Sequence, residues 1–400
     1  MAFRSGQHFV QIPGPTNIPE RVLRAMDRQI VDHRGPDFAR LTLEVLPAMR
    51  ELVRTERSHV VIYPSSGTGA WEAAMVNLFS PGDAVLLAET GWFSTLWGEL
   101  AGKLGIAVEL ARGDWRTGAD PDAIGERLAA DRAHRIKAVM VVHNETSTGV
   151  ASRIADVRKA IERANHPALL LVDTVSSLAS MDYRHDEWGV DVMVTGSQKG
   201  LMLPPGIGFN VVSPKALEAS KNAKLPRAYF DWAPIVAANA AGFFPYTPPT
   251  NLMFGLREAL QMLLREEGLD AVFARHARHG EATRAAVRGW GLEILARDAR
   301  EYSNTLTAII VPEGVDSDKV RATILERFDM SLGVGLGKLK GRVFRIGHLG
   351  SFNDLMLAGT LCGVQMGLRL SGVDIGDGVG AALDFLCAPA ERSQLTPAFA

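Results

Sequence analysis

Val190-Asp-Val-Met-Val-Thr-Gly-Ser-Gln-Lys-Gly200 leads from an apolar run into a turn of small residues that contains one lysine, Lys199. The run has the composition of a buried strand, and a second apolar stretch, Ile207 to Val212, follows the turn. A lysine between two buried strands is partly removed from water, which lowers its pKa and makes its amine a usable nucleophile. The pattern therefore predicts a reactive amine at the end of a strand.

Three other apolar runs end in residues that carry chemistry. Ala168-Leu-Leu-Leu-Val-Asp173 ends in a carboxylate, and Ala138-Val-Met-Val-Val142 leads into His143-Asn-Glu-Thr-Ser-Thr-Gly149. His59-Val-Val-Ile-Tyr63 opens into Pro64-Ser-Ser-Gly-Thr-Gly69 and then into a segment of helical composition. Open α/β sheets bind their ligands at the carboxyl ends of the strands. An amine, a carboxylate, hydroxyls and a glycine-rich helix start are thus expected at one edge of a sheet.

These parts match a site for pyridoxal 5'-phosphate. Lys199 would form a Schiff base with the aldehyde of the cofactor, and Asp173 would hold the pyridine nitrogen protonated. The turn Gly67-Thr68-Gly69 would bind the phosphate through free backbone N–H groups and the positive end of a helix dipole. Pyridoxal 5'-phosphate is therefore the predicted cofactor. No metal is predicted, because His276 and His279 offer only a pair of ligands.

Six short motifs spread along nearly the whole chain extend this interpretation. They are Pro13-Gly-Pro-Thr-Asn-Ile-Pro19, Ser66-Gly-Thr-Gly69, His143-Asn-Glu-Thr146, Gly196-Ser-Gln-Lys-Gly200, Tyr246-Thr-Pro-Pro249 and Phe344-Arg-Ile-Gly-His-Leu-Gly350. In this order they resemble the class V (fold type I) aminotransferases, which depend on pyridoxal phosphate, and most closely the serine–glyoxylate and alanine–glyoxylate branch. The resemblance implies transfer of an amino group from a small L-amino acid, best serine, to glyoxylate, which gives hydroxypyruvate and glycine.

The resemblance also implies further cofactor contacts. Thr146 would approach the phenolic oxygen of the cofactor, and Gln198 would contact its phosphate or its ring oxygen. A planar ring must stack on the pyridine, and this ring would be Phe93, which alignment on the preceding glycine favours, or Trp92. His143 is expected in the core rather than above the ring.

Two more motifs imply substrate contact and a partner subunit. Arg345 lies in a strand-like apolar sequence, where its guanidinium would clamp the substrate carboxylate; an internal ion pair is the alternative. In the resembling proteins the loop 242–250 crosses to the other protomer, so Thr247 would reach the phosphate there. Tyr246 could replace a hydroxyl that Phe244 lacks. A homodimer with shared active sites is therefore expected.

Other functions remain open in the sequence. Alanine could be the amino donor, and an aspartate enzyme would need a second cation, for which Arg34 or Arg227 is a candidate. A cysteine desulfurase-like lyase would need a mobile nucleophilic cysteine, whereas Cys362 and Cys387 lie in helix-like segments. A non-catalytic protein that binds pyridoxal phosphate would be expected to lose the lysine or the arginine.

Strands and helices alternate from residue 58 to residue 212, which predicts an α/β fold with a mainly parallel sheet covered on both faces. The fold expected from the resemblance is that of the fold type I transferases. We expect an N-terminal arm over residues 1–20, a large cofactor-binding domain over 21–255 and a smaller C-terminal α+β domain over 256–400.

The composition limits the partners and the compartment. A formal net charge of -2 gives no general electrostatic reason to bind nucleic acid or an anionic membrane. The first ten residues lack the apolar core of a signal peptide, and no apolar stretch approaches the ~20 residues of a membrane span. Two cysteines outside any metal-type spacing favour reduced thiols. We predict a cytoplasmic protein whose partners are small amino acids and 2-oxo acids.

Overall fold

The computed structural model describes residues 6–388. The first five residues of the predicted arm and residues 389–400 of the predicted C-terminal domain lie outside this range. The strands are Phe9–Gln11 (β1), His59–Ser65 (β2), Ala84–Ala88 (β3), Ala107–Ala111 (β4), Ile136–Val142 (β5), Asn144–Glu145 (β6), Val150–Ala151 (β7), Leu169–Asp173 (β8), Val192–Gly196 (β9), Gly206–Val212 (β10), Glu293–Ile294 (β11), Leu306–Ile310 (β12), Met330–Val334 (β13) and Val343–Gly347 (β14).

The helices lie between these strands and after them. They are Glu20–Met26 (α1), Pro36–Leu52 (α2), Gly67–Leu78 (α3), Trp92–Lys103 (α4), Pro121–Ala130 (α5), Ile154–Arg163 (α6), Pro214–Ser220 (α7), Trp232–Asn239 (α8), Thr250–Gln261 (α9), Leu269–Gly289 (α10), Ser317–Phe328 (α11), Asp354–Leu370 (α12) and Gly378–Cys387 (α13). A π-helical turn, Met262–Glu267, follows α9, and 3₁₀ turns occupy Ala299–Glu301 and Gly337–Leu339. Within residues 6–388, no helix combines the length and the apolar character that a membrane span requires.

The larger sheet has seven strands in the order β2-β10-β9-β8-β5-β3-β4. Strand β10 runs antiparallel to β2 and β9, and the other neighbouring pairs are parallel. The predicted mainly parallel α/β sheet is therefore confirmed. Asp173 pairs with Val142 of β5 and with Val194 of β9, so the carboxyl ends of these strands meet at one edge. The end of β9, Gly196, lies opposite Gly208 beside the end of β2.

Helices cover both faces of this sheet. Apolar residues of α2, α5, α6 and α9 pack on one face, and those of α3, α4, α7 and α8 pack on the other. A strand that is buried on both faces needs apolar side chains at nearly every position, which explains its continuous apolar runs. Polar side chains therefore occur mainly near the strand ends, as Asp173 at the end of β8 and Lys199 after β9 illustrate.

The smaller sheet has five strands in the order β1-β13-β14-β12-β11. Helices α10 to α13 cover one of its faces. Arg345 lies near the middle of this sheet, between Gly333 of β13 and Ala308 of β12. Strands β1 and β13 were not predicted: β1 comes from the predicted N-terminal arm and pairs in parallel with β13. A three-residue strand is too short to show a pattern, so its partner decides its structure.

We predict that Phe209→Ala lowers the free energy of unfolding by about 3–5 kcal/mol, because Phe209 of β10 is fully buried and its removal leaves a cavity. Leu355→Ala is the control, since Leu355 is 83% exposed and its change should stay within about 0.5 kcal/mol. Urea denaturation of the two cofactor-free variants, followed by circular dichroism, measures the difference. Equal midpoints would contradict a core position for Phe209.

Candidate active site

A cavity of about 210 Å³ lies at the edge where β5, β8 and β9 end. Seven of the residues predicted for the site line it: Gly67, Thr68, Phe93, Thr146, Asp173, Gln198 and Lys199. Gly14, Pro15, Ser66, Trp71, Val142, Asn144, Val175 and Pro205 complete its wall. Segments that lie far apart in the sequence therefore converge at one edge of the sheet, as predicted from the four apolar runs and the residues that follow them.

Lys199 lies in the turn after β9 and is buried. Its Nζ donates a hydrogen bond to the carbonyl oxygen of Pro13. Burial lowers the pKa of Lys199 to about 7; the charge of Arg345 acts in the same direction, and the charge of Asp173 opposes it. Near neutral pH a large fraction of the side chain is therefore an unprotonated amine.

Asp173 is the last residue of β8 and is buried beside the same cavity. Its Oδ2 accepts a hydrogen bond from Trp71 Nε1 at 2.9 Å, and its Oδ1 accepts one from the backbone N–H of Val175 at 2.6 Å. Burial raises the pKa of Asp173 to about 7, against the lowering effect of these two bonds. Within residues 6–388, no Lys or Arg nitrogen lies within ion-pair distance of it, although the charge of Lys199 lowers its pKa, so the carboxylate can accept a cationic partner.

The N-terminus of α3 forms another wall. Helix geometry leaves the N–H groups of Gly67 and Thr68 without intrahelical acceptors. The N–H of Gly69 instead donates to the side chain of Ser66 at 3.4 Å, and Gly69 does not line the cavity. A Cβ on Gly67 would lie 2.7 Å from Val175 Cγ2, so only glycine allows this close approach.

The residues fit pyridoxal phosphate. Gln198 Oε1 and Asn144 Oδ1 are buried, and neither finds a hydrogen-bond partner in the described part of the chain. Buried polar groups rarely remain unpaired, so these two atoms call for a polar ligand in the cavity they line. Asp173 suits a protonated ring nitrogen, the start of α3 suits a phosphate, and the amine of Lys199 suits an aldehyde.

Phe93, and not Trp92, lines the cavity. Trp92 packs in a separate cluster that includes Trp115. The buried carboxylate of Glu145 accepts hydrogen bonds from the N–H groups of Phe93 and Ser94 at 3.3 and 3.0 Å. Glu145 thus caps α4 from a distant segment and fixes Phe93 at the cavity wall. Burial raises the pKa of Glu145.

Arg345 lies behind Thr146. Its Nη1 donates to the carbonyl oxygen of Thr146 at 2.7 Å, and its Nε donates to that of Val334 at 2.9 Å. Burial lowers the pKa of Arg345 to about 10. No carboxylate in residues 6–388 lies within ion-pair distance of this arginine, so the alternative internal pair is not formed; the charge of Glu145 still raises its pKa against burial. The hydroxyl of Thr146 donates to Ser176 Oγ at 2.7 Å.

Several predicted residues do not reach the cavity of this chain. Arg34 and Thr247 are exposed and lie outside it. The hydroxyl of Tyr246 donates to the carbonyl oxygen of Ile62 at 2.8 Å, so it is engaged within its own chain.

Arg227 is also engaged, because its guanidinium donates to the carbonyl oxygens of Ser220, Ala223 and Val76.

Cys362 and Cys387 are exposed, free and outside the cavity. His143 is buried against Trp188, as expected for a core histidine, although its Nδ1 has no partner in the described residues. In residues 6–388, no three His, Cys, Asp or Glu side chains are grouped as a metal site requires.

Trp71, Asn144 and Val175 line the site but were missed by the sequence analysis. Trp71 follows Gly67 by four residues on α3, and this spacing places both on one helix face. Val175 follows Asp173, the last residue of β8, by two residues. Its position just after a strand end that carries a site residue could have predicted that it lines the cavity. Asn144 likewise follows Val142, the last residue of β5, by two residues, so the same signal was available for it.

Comparison with known proteins supports one family. The family model described as aminotransferase class V matches residues 8–335. Serine–glyoxylate aminotransferase of Methylorubrum extorquens is 49% identical over 390 residues, which cover 96% of this chain and 97% of that protein. L-aspartate–glyoxylate aminotransferase of Paracoccus denitrificans is 46% identical, with 94% and 96% covered.

Solved structures agree with this result. The crystal structure of ureidoglycine–glyoxylate aminotransferase from Bacillus subtilis matches with a TM-score of 0.87 at 26% identity, over 96% of this chain and all of that one. Pyridoxamine–pyruvate aminotransferase from Mesorhizobium loti matches with a TM-score of 0.88 at 28% identity, over 96% and 99%. The chain belongs to the class V aminotransferases, which are pyridoxal phosphate enzymes of fold type I.

Proposed function

We propose that the protein transfers the amino group of serine to glyoxylate and thereby forms hydroxypyruvate and glycine. The observation that carries this proposal is a buried arginine without a carboxylate partner in residues 6–388, next to a cavity that contains Lys199 and Asp173. A guanidinium of this kind suits the carboxylate that amino acids and 2-oxo acids share. The small cavity favours small substrates.

The residues of the chain divide the chemistry among them. When bound, pyridoxal phosphate supplies an aldehyde that carries the amino group and a ring that accepts electrons. Lys199 Nζ takes up the proton that leaves Cα of the amino acid and later returns one, which its pKa of about 7 allows near neutral pH. Asp173 would keep a proton at the ring nitrogen. Thr68, Gly67 and Gln198 would hold the phosphate.

The other residues of the site would contact or support either the cofactor or the substrate. Phe93 would pack on the face of the bound ring, and Thr146 would hold its phenolic oxygen. Gly69 supports the phosphate turn through its bond to the cap residue Ser66. Arg345 binds the substrate carboxylate, and its two bonds to backbone carbonyls orient its guanidinium for this contact.

Serine is favoured over aspartate as donor. An aspartate side chain would need a second cation, and Arg227 is already bonded to backbone carbonyls and paired with Asp231. Arg34 is exposed and outside the cavity of its own chain. The relatives include serine–glyoxylate enzymes at 49% and 47% identity and an aspartate–glyoxylate enzyme at 46%, so identity alone does not choose between them.

The alternatives outside transamination have less support. A cysteine desulfurase-like lyase needs a mobile cysteine at the cofactor, but Cys362 and Cys387 lie on α12 and α13, away from the cavity. A non-catalytic protein would not need both Lys199 and Arg345 in these positions.

The proposal includes a cytoplasmic homodimer. The exposed residues Thr68 and Thr247 support the dimer, because a partner subunit could cover the first and offer the second. The two free cysteines are compatible with a reducing compartment.

A matrix of donors and acceptors tests the substrate assignment. With glyoxylate as acceptor, we expect kcat/KM for serine to exceed that for alanine and for aspartate by at least about tenfold, a difference of about 1.4 kcal/mol in transition-state binding. Release of the keto acid is measured for each pair, with pyruvate as the second acceptor. Faster turnover with aspartate would replace serine by aspartate in the proposal.

We predict that Lys199→Ala abolishes covalent attachment of the cofactor and lowers kcat by at least about 10³-fold, because no other amine in the cavity can move the proton. Absorbance near the visible edge and steady-state kinetics measure the two effects. Lys215→Ala, which changes a half-exposed lysine, is the control and should behave as the unaltered protein. Retention of both signals in Lys199→Ala would refute the assignment.

We predict that Arg345→Ala raises KM for both amino acid and 2-oxo acid by roughly 10- to 100-fold, because a hydrogen bond to a charged group contributes about 1.5–3 kcal/mol. Arg321→Ala is a matched control: Arg321 also donates to a carbonyl of β13, that of Leu332 at 2.9 Å, but it pairs with Asp318. A loss confined to cofactor affinity would contradict a role in carboxylate binding.

A further inference from the structure

The segment 13–16, here called the bridge segment, lies directly against the turn that contains Lys199. Pro13 offers its carbonyl oxygen to Lys199 Nζ. The N–H of Thr16 donates to the carbonyl oxygen of Gln198, and the Thr16 hydroxyl donates to that of Lys199, both at 3.1 Å. Thus the backbone and the side chain of the lysine are both held by one segment, and Thr16 and Lys199 are buried.

Gly14 fits against the side chain of Lys199 with no space between them. A Cβ on Gly14 would lie 2.8 Å from both Cε and Nζ of the lysine, and closer still to Cδ. Real Cβ atoms do not approach other atoms so closely, so the lysine stem would have to move. A lysine has four rotatable bonds, so its amine can lie in many positions. The lysine stem occupies the space that a side chain at position 14 would fill, so a side chain there would move the amine.

The opposite side of the bridge segment touches the sheet that carries Arg345. A Cβ on Gly333 would lie 2.7 Å from Pro13 Cδ and 2.9 Å from Arg345 Cβ. A Cβ on Gly347 would lie 2.9 Å from the backbone nitrogen of Pro13. The segment is therefore enclosed between the lysine turn and strand β14, and β1 anchors its start in the same sheet.

We propose that the bridge segment is a positioning element for Lys199. The Pro13 carbonyl holds the amine when it is not bonded to the cofactor, and Gly14 provides the surface that directs the lysine stem. The same segment joins the lysine to the strand of the carboxylate-binding arginine, so both ends of the substrate site share one support. This inference rests on the proposed role of Lys199, since positioning matters only if the amine reacts.

The test measures how fast the amine is captured by pyridoxal phosphate. Cofactor-free protein is mixed with pyridoxal phosphate, samples are reduced with borohydride at set times, and the labelled lysine is located by peptide mass spectrometry. For Gly14→Ala we expect labelling of Lys199 to slow at least about tenfold and kcat to fall by a similar or larger factor, because a displacement of about 1 Å can cost ~10²-fold in rate.

Gly82→Ala is the matched control. Gly82 has φ +87°, close to the +95° of Gly14, but nothing lies within 4 Å of its Cβ position. Both variants therefore place an alanine at a positive φ that disfavours a side chain, and only Gly14→Ala crowds the lysine. Labelling of Gly14→Ala at the rate of Gly82→Ala would overturn the inference.

A second variant keeps the test decisive if Gly14→Ala does not fold. Thr16→Val preserves the shape of the side chain and removes only the hydroxyl bond to the Lys199 carbonyl. We expect about 3- to 10-fold slower labelling, and an unchanged rate would also overturn the inference. Failure of the proposed function looks different: the unaltered protein itself would then show no label on Lys199.

Discussion

The burial of Lys199 and Asp173 at one edge of the larger sheet is the constraint on which the site depends. Removing an amine and a carboxylate from water disfavours both charged forms. Each group forms hydrogen bonds to neutral partners, and the two groups do not form a direct ion pair. The indole of Trp71 and the N–H of Val175 bond the carboxylate, and the Pro13 carbonyl bonds the amine. Burial is the main cause of the pKa of about 7 that both groups have, and the two bonds to Asp173 act against it.

The sheet makes this burial possible. Its strands are covered on both faces, so polar side chains occur mainly where the strands end, and parallel strands bring those ends together. Helix α3 starts at the same edge, and Gly67 and Thr68, whose N–H groups have no intrahelical acceptors, line the cavity. Close approach at this edge requires glycine, as the contact between Gly67 and Val175 illustrates.

The smaller sheet supplies the positive charge of Arg345. Arg345 is held by the carbonyl oxygens of Thr146 and Val334, which orient its guanidinium without neutralising it. A carboxylate partner inside the chain would have competed with a substrate. Thr146 lines the cavity and also accepts this bond, so it links the arginine to the cofactor side of the site. In the proposed function, reaction type and substrate recognition are thus contributed by two separate sheets.

Local sequence features, the apolar runs and the residues that follow them, predicted the parallel sheet, the strand ends and four of the residues in the cavity, Gly67, Thr68, Asp173 and Lys199. Phe93, Thr146 and Gln198 were expected from the resemblance to a known family. The sequence also placed Arg345 in a strand, now Val343–Gly347. Strand β1 and the contact from Trp71 to Asp173 depended on the tertiary structure, which also places Phe93, the ring that alignment favoured, at the cavity and Trp92 outside it. Each of these is fixed by a partner far along the chain, and no local pattern records which distant group a short strand, an indole or a ring will meet.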